Sequence, residues 1–228
     1  MYINNKDIKS YSANLLEMRV TPSERRVFDF WKGGASNPYL GKVEYGYKTL
    51  VISIEFKGTA NEIESNKKLL IKEMEKATIK FKAIENFYTG FMQSFEIKNT
   101  VKGFEVLNIY MNAIEHEKER VISFDSSNEA TIILTSNYIT PAIVEITPLI
   151  NLIDLNIFGL GEDILIKNLT ANKKIIIDGE EGKVTEEDKN KFNDYDSWGF
   201  PYLAPGTNQI SIDKDNVEVK IKYKSRWI

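Results

Sequence analysis

The stretch 217–224 alternates without a break: Val217, Val219, Ile221 and Tyr223 fall on one side of an extended chain, and Glu218, Lys220, Lys222 and Lys224 on the other. Side chains of a strand alternate between faces, so this pattern requires a sheet with one buried and one wet face. Leu50, Ile52, Ile54 and Phe56 repeat the same period within 48–56. Shorter apolar runs at 78–83, 91–97, 104–114 and 121–124 are separated by turn-prone pieces: Asn86, Thr89-Gly90 and Asn99-Thr100-Val101-Lys102-Gly103. Seven strands, the one at 217–224 included, are expected at 130–134, 142–147, 154–158, 163–168, 174–178, 208–212 and 217–224, spaced as in a β-sandwich.

One segment breaks the pattern. Thr59-Ala60-Asn61-Glu62 has the form of a capping box, and Ile63, Leu70, Met74 and Ala77 follow at helical spacing, which predicts a helix over about 61–76. The charge run Glu115-His116-Glu117-Lys118-Glu119-Arg120 predicts a solvated linker, with a domain boundary between about 115 and 130. The fold expected is mainly β: two domains over 1–120 and 121–228, the first of consecutive antiparallel strands with the single helix and the second a β-sandwich. At 228 residues with 42% hydrophobic content, each half has enough apolar material for a core.

Several chemistries are excluded or weakened. The chain has no cysteine, which removes disulfides, thiolate metal sites and Cys nucleophiles. Neither a signal-peptide core at the start nor an apolar run of membrane-spanning length is seen, so a cytoplasmic origin and no membrane partner are expected. Residues 1–120 hold 19 Lys+Arg against 16 Asp+Glu, and residues 121–228 hold 11 against 17. Neither half has the clustered basicity of a nucleic-acid reader.

The one histidine, His116, has no nucleophile motif beside it and is expected to be solvated. Gly33-Gly34 and Gly159-Leu160-Gly161 lack the other positions of a dinucleotide fingerprint and are expected to be turns, and no phosphate loop is present. Any pair of the 33 acidic residues could in principle cleave a glycan, but sequence gives no separation between them. Asn193-Asp194-Tyr195-Asp196 and Asp213-Lys214-Asp215-Asn216 lack the glycine and glutamate of a calcium loop, so both are expected as hairpin turns. No catalytic residue, metal or cofactor is expected. Tyr195, Trp198, Phe200 and Tyr202 form either a sugar-stacking platform or packing between sheets, the latter favoured.

An ordered set of short motifs closes the chain: Asp178-Gly179-Glu180-Glu181-Gly182, Trp198-Gly199-Phe200-Pro201, Leu203-Ala204-Pro205-Gly206-Thr207-Asn208, and a final strand ending near Trp227. In this order it resembles the closing segment of siphophage distal tail (Dit) proteins. The strand at 50–58, the helix, and the strands up to 114 resemble that family's ring-forming domain more loosely. The resemblance implies two β-sandwich domains: an N-terminal ring (belt) sandwich with one helix, over 1–120, that assembles into a homo-hexamer, and a C-terminal galectin-like sandwich over 121–228. It implies a non-enzymatic part of the virion tail tip that joins tail tube protein, tail-associated tip protein and receptor-binding protein, with genomic DNA passing through the lumen. Asp178, Gly179, Gly182, Trp198, Pro201, Pro205, Gly206 and Trp227 are then structural positions. The competing readings are a module that recognises cell-wall glycan through Tyr195, Trp198 and Tyr202, and a tail-associated hydrolase.

Overall fold

The structure, a computed structural model, describes residues 1–29, 40–101, 103–124 and 128–228. The chain forms two compact units, Met1–His116 together with Ile228, and Glu117–Trp227. The Gly33-Gly34 turn lies outside the described residues.

The first unit contains β1 (Tyr2–Ile3), β2 (Lys6–Asp7), β3 (Ala13–Thr21), β4 (Arg25–Asp29), β5 (Leu40–Tyr45), β6 (Lys48–Lys57), α1 (Ala60–Met74), β7 (Lys76–Lys80), β8 (Phe87–Val101) and β9 (Phe104–His116). Its main sheet is antiparallel, in the order β2-β1-β7-β8-β9-β6-β3, and β4 pairs with β5 as a separate ribbon. The period-two residues Leu50, Ile52, Ile54 and Phe56 are fully buried, opposite Leu107, Ile109 and Met111 of β9. Ile63, Leu70 and Met74 of α1 close the same core. Fully burying one such side chain contributes about 1.5–3 kcal/mol, so this face holds the unit together.

The capping box is formed: Thr59 N–H donates to Glu62 Oε2 at 2.8 Å, and Glu62 N–H donates to Thr59 Oγ1 at 3.4 Å. The helix ends at Met74 rather than 76, and Ala77 is a buried residue of β7. Pairing of Lys76–Lys80 with Phe87–Phe91 takes over at that point. Thr89-Gly90 is a second correction, since it lies inside β8 and forms no turn. A Cβ on Gly90 would stand 1.9 Å from the Asn112 carbonyl oxygen, so the glycine serves close approach of β9.

His116 is a third. It ends β9 with 8% exposure, stacks on Phe87 at 5.8 Å between centroids, and its Nε2 is 2.8 Å from Thr89 Oγ1. The preceding charge, Glu115, pairs with Lys48, so the first part of the charge run belongs to the sheet and not to a solvated linker. The amphipathic pattern was interrupted by a titratable residue, which hid a strand that continues to its last position.

The second unit contains β10 (Arg120–Ser123), β11 (Glu129–Leu134), β12 (Thr140–Pro148), β13 (Leu152–Phe158), β14 (Ile164–Leu169), β15 (Ile175–Asp178), β16 (Lys183–Glu186), β17 (Lys189–Asn190), β18 (Tyr195–Asp196), β19 (Tyr202–Leu203), β20 (Gly206–Ile212), β21 (Val217–Tyr223) and β22 (Arg226–Trp227). One sheet runs β10-β21-β12-β15-β16-β17, with β19 against β12, and the other runs β11-β20-β13-β14-β18. Val219, Ile221 and Tyr223 from one sheet and Leu155, Ile157 and Ile210 from the other share a core, which makes the unit a sandwich. The mainly-β expectation therefore holds.

The two acidic clusters differ from the hairpin turns expected. Asn193-Asp194 lies in a 3-10 turn, Phe192–Asp194, that leads into β18. Asp213–Asn216 joins β20 to β21, which belong to different sheets, so it is a crossing between layers. Asn216 takes φ 59° there, a left-handed conformation that asparagine tolerates.

Candidate functional site

Four of the motif residues, Asp178, Gly179, Gly182 and Pro201, meet at a junction around Gly179. Asp178 ends β15, and its Oδ1 accepts from Glu180 N–H at 2.8 Å and from Glu181 N–H at 3.0 Å. Gly182 N–H returns to the Asp178 carbonyl at 2.9 Å, with Gly182 at φ 68°, and the chain turns into β16. Gly179 N–H donates to the Ala142 carbonyl, and Ala142 N–H donates to the Pro201 carbonyl, both at 2.9 Å. A Cβ on Gly179 would lie 2.3 Å from the Pro201 oxygen and 2.6 Å from that of Ala142. Thus the hairpin and the Phe200-Pro201 stretch are held against β12 by backbone contacts that only glycine permits.

Pro205 and Gly206 make the turn into β20. The Gly206 φ of 96° is what requires glycine there, because no atom lies within 4 Å of its Cβ position. Asn208, buried, closes this turn: its Oδ1 accepts from Ala204 N–H at 2.9 Å, and its Nδ2 donates to the Ala204 carbonyl at 2.9 Å. Its place in the Leu-x-Pro-Gly motif was visible in the sequence; the bracing role was not. Trp227 is half-buried in β22.

The four aromatics do not form one platform. Tyr195 is buried and stacks on Phe200 at 5.6 Å, and its hydroxyl donates to the Gly199 carbonyl. Tyr202 is half-buried, with its ring against Gly161. Trp198 alone stands in solvent, at 99% exposure, on the loop that the Tyr195–Gly199 bond closes.

The carboxylates nearby are occupied. Asp194 accepts from Asn168 Nδ2 at 2.7 Å and pairs with Lys191 at 3.1 Å, and these contacts hold its carboxyl below the usual range. Asp196 pairs with Lys167, and Asp213 with Asn156 and Lys214. Among the described residues no group of three or more His, Asp or Glu side chains is placed to hold a metal ion, and no helix is long and apolar enough to cross a membrane.

The other surface that stands out is a pair of open strand edges in the first unit. Among the described residues β3 pairs with β6 alone and ends the sheet. β8 has β7 on one side only as far as Phe91, so from Gln93 to Lys98 its edge away from β9 has no strand partner among the described residues. Phe95 and Ile97 point to the core side there, opposite Ile109 and Leu107, yet remain 45% and 48% exposed. Unpaired backbone beside half-covered apolar side chains is an edge prepared for another strand.

Residues 135–227 match the family described as the siphovirus-type tail component, C-terminal domain (SPP1 Dit). The crystal structure of SPP1 Dit, described as a hub of the adsorption apparatus in phages infecting Gram-positive hosts, superposes with a TM-score of 0.71. That match is at 9% identity and covers 99% of this chain and 98% of that one. Chains of the phage P2 baseplate in its activated conformation match at a TM-score of 0.58 and 11% identity. With calcium, 95% of this chain and 92% of the other are covered; with strontium, 97% and 94%. No curated protein matches. The distal-tail resemblance carried by Asp178–Trp227 thus has a counterpart in a family match and in whole-chain fold: residues 135–227 are similar to the siphovirus-type tail component C-terminal domain, in a chain with the fold of SPP1 Dit.

Proposed function

We propose that this protein is a structural, non-enzymatic part of a phage tail tip, in which the first unit assembles head to tail into a closed homo-hexameric ring. The observation that carries this reading is the pair of open edges in one sheet, β3 at one end and the distal half of β8 at the other. Two different edges on one copy make a heterologous contact, and such contacts close into a ring under cyclic symmetry. The whole-chain likeness to SPP1 Dit supports the same reading.

In this role the ring continues the tail tube, binds tube protein on one side and tip and receptor-binding proteins on the other, and lets genomic DNA pass through its lumen. The second unit, braced by Gly179, Asn208 and Pro201, is a docking module. Assembly takes place in the host cytoplasm before release.

Solution mass of the full chain by light scattering is the test. Species near six monomer masses are expected, and a strict monomer at high concentration counts against the ring.

A second reading has its own observation in the exposed indole of Trp198: the second unit binds cell-wall glycan. It requires retention on purified wall polysaccharide that Trp198→Ala abolishes.

A further inference from the structure

Resting on the ring reading, we propose that its subunit interface is an antiparallel strand pair in one fixed register: β3 residues 17–21 of one copy against β8 residues 94–98 of the next.

The direction follows from topology. β8, β9, β6 and β3 run alternately up and down, since each neighbouring pair is antiparallel. Cyclic symmetry keeps copies in the same orientation. With four strands from edge to edge, β8 and β3 themselves included, the two edges run in opposite directions, so β3 of one copy meets β8 of the next antiparallel.

The register follows from side chains. On β3, Met18 and Val20 pair with Ile52 and Leu50 and so face the core side, while Glu17, Arg19 and Thr21 face the other way. On β8, Phe95 and Ile97 face the core side, while Ser94, Glu96 and Lys98 face the other way. A continuous sheet must keep the two faces in line, because a one-residue slip moves every side chain to the wrong face.

One alignment satisfies all five positions. Val20 meets Phe95 and Met18 meets Ile97 on the apolar face, while Thr21 meets Ser94, Arg19 meets Glu96 and Glu17 meets Lys98 on the polar face. Opposite charges directly across a strand pair are favourable and like charges unfavourable. Shifting by two residues in one direction places Glu17 against Glu96, and in the other places Arg19 against Lys98. Each segment also begins just past a register shift, between Leu15 and Glu17 on β3 and between Met92 and Ser94 on β8, so both are regular over the paired length.

Because the chain has no cysteine, engineered thiols report this contact directly. Arg19 and Glu96 sit on opposite edges, with β9 and β6 between them, about 14 Å apart at ~4.8 Å per strand spacing. That is too far for a disulfide within one copy. Full-length R19C is mixed with full-length E96C under mild oxidant, beside a control mixture of T21C with K98C, which the register separates by four residues. The matched pair is expected to give a disulfide-linked dimer and the control none. Arg19→Glu in the otherwise unchanged chain is expected to weaken self-association by about tenfold, since it faces Glu96 with a like charge.

A control that links as readily as the matched pair overturns the register. Hexamers that form without the matched link overturn this interface and leave the ring reading standing. Chains that stay monomeric and never link overturn both.

Discussion

Lys67 Nζ lies 2.6 Å from Glu105 Oε1, which ties α1 to β9 from inside the first unit, with the two side chains only 9% and 12% exposed. Lys67 also reaches Glu64, one turn earlier on the helix, at 2.7 Å. Removing one partner strands a charge in a dry position. We expect Lys67→Met to cost about 3 kcal/mol, and the double variant K67M/E105L to cost clearly less, because desolvation of both charges is then relieved. Urea denaturation followed by circular dichroism measures both, and equal losses would mean that the pair is solvated.

Glu145 on β12 accepts from Lys222 at 2.7 Å and pairs with Lys174 at 2.8 Å. Burial, the largest single influence, pushes its carboxyl up, but the hydrogen bonds and charges of the two lysines outweigh it and hold the carboxyl below its usual range. A lowered folded-state value contributes stability that is present above about pH 4.5 and lost as pH falls through the folded value. Glu145→Gln should therefore lower stability at neutral pH and flatten its fall below about pH 4.5. Thermal melts from pH 3 to 7 check the slope, and an unchanged slope would remove Glu145 from the account.

Two glycines of the closing motif should respond in opposite ways. Gly179→Ala places a methyl against two backbone oxygens that cannot both move, and we expect a loss of at least about 2 kcal/mol. Gly199→Ala meets nothing within 4 Å and should change stability by less than about 0.5 kcal/mol. Melting temperatures of the two variants decide it.

The aromatic cluster divides in the same manner. Tyr195→Ala removes a buried ring stacked on Phe200 and should cost about 3 kcal/mol. Trp198→Ala removes a side chain in full solvent and should leave the melting temperature unchanged. Any loss of polysaccharide retention in Trp198→Ala would then report binding and not folding.

How much of this was legible in the sequence depended on whether a local rule carried the signal. The strand 217–224 and the helix after Thr59 were readable because face alternation and the capping box are short-range: each residue's role follows from neighbours within a few positions. The absence of cysteine, the single histidine and the missing phosphate loop were equally plain, and the motif from Asp178 to Trp227 pointed to the family. His116 was misjudged because its charged neighbours hide a strand end that only Phe87 and Thr89, nearly thirty residues earlier, can bury. Gly90 was misjudged because a glycine in sequence marks a turn or a close approach alike, and Asn112 decides which. The convergence of Gly179, Ala142 and Pro201, the isolation of Trp198 from Tyr195, and the open edges of β3 and β8 belonged to the tertiary structure alone. Each depends on which distant backbones run side by side, and that is fixed when the two apolar faces bury together.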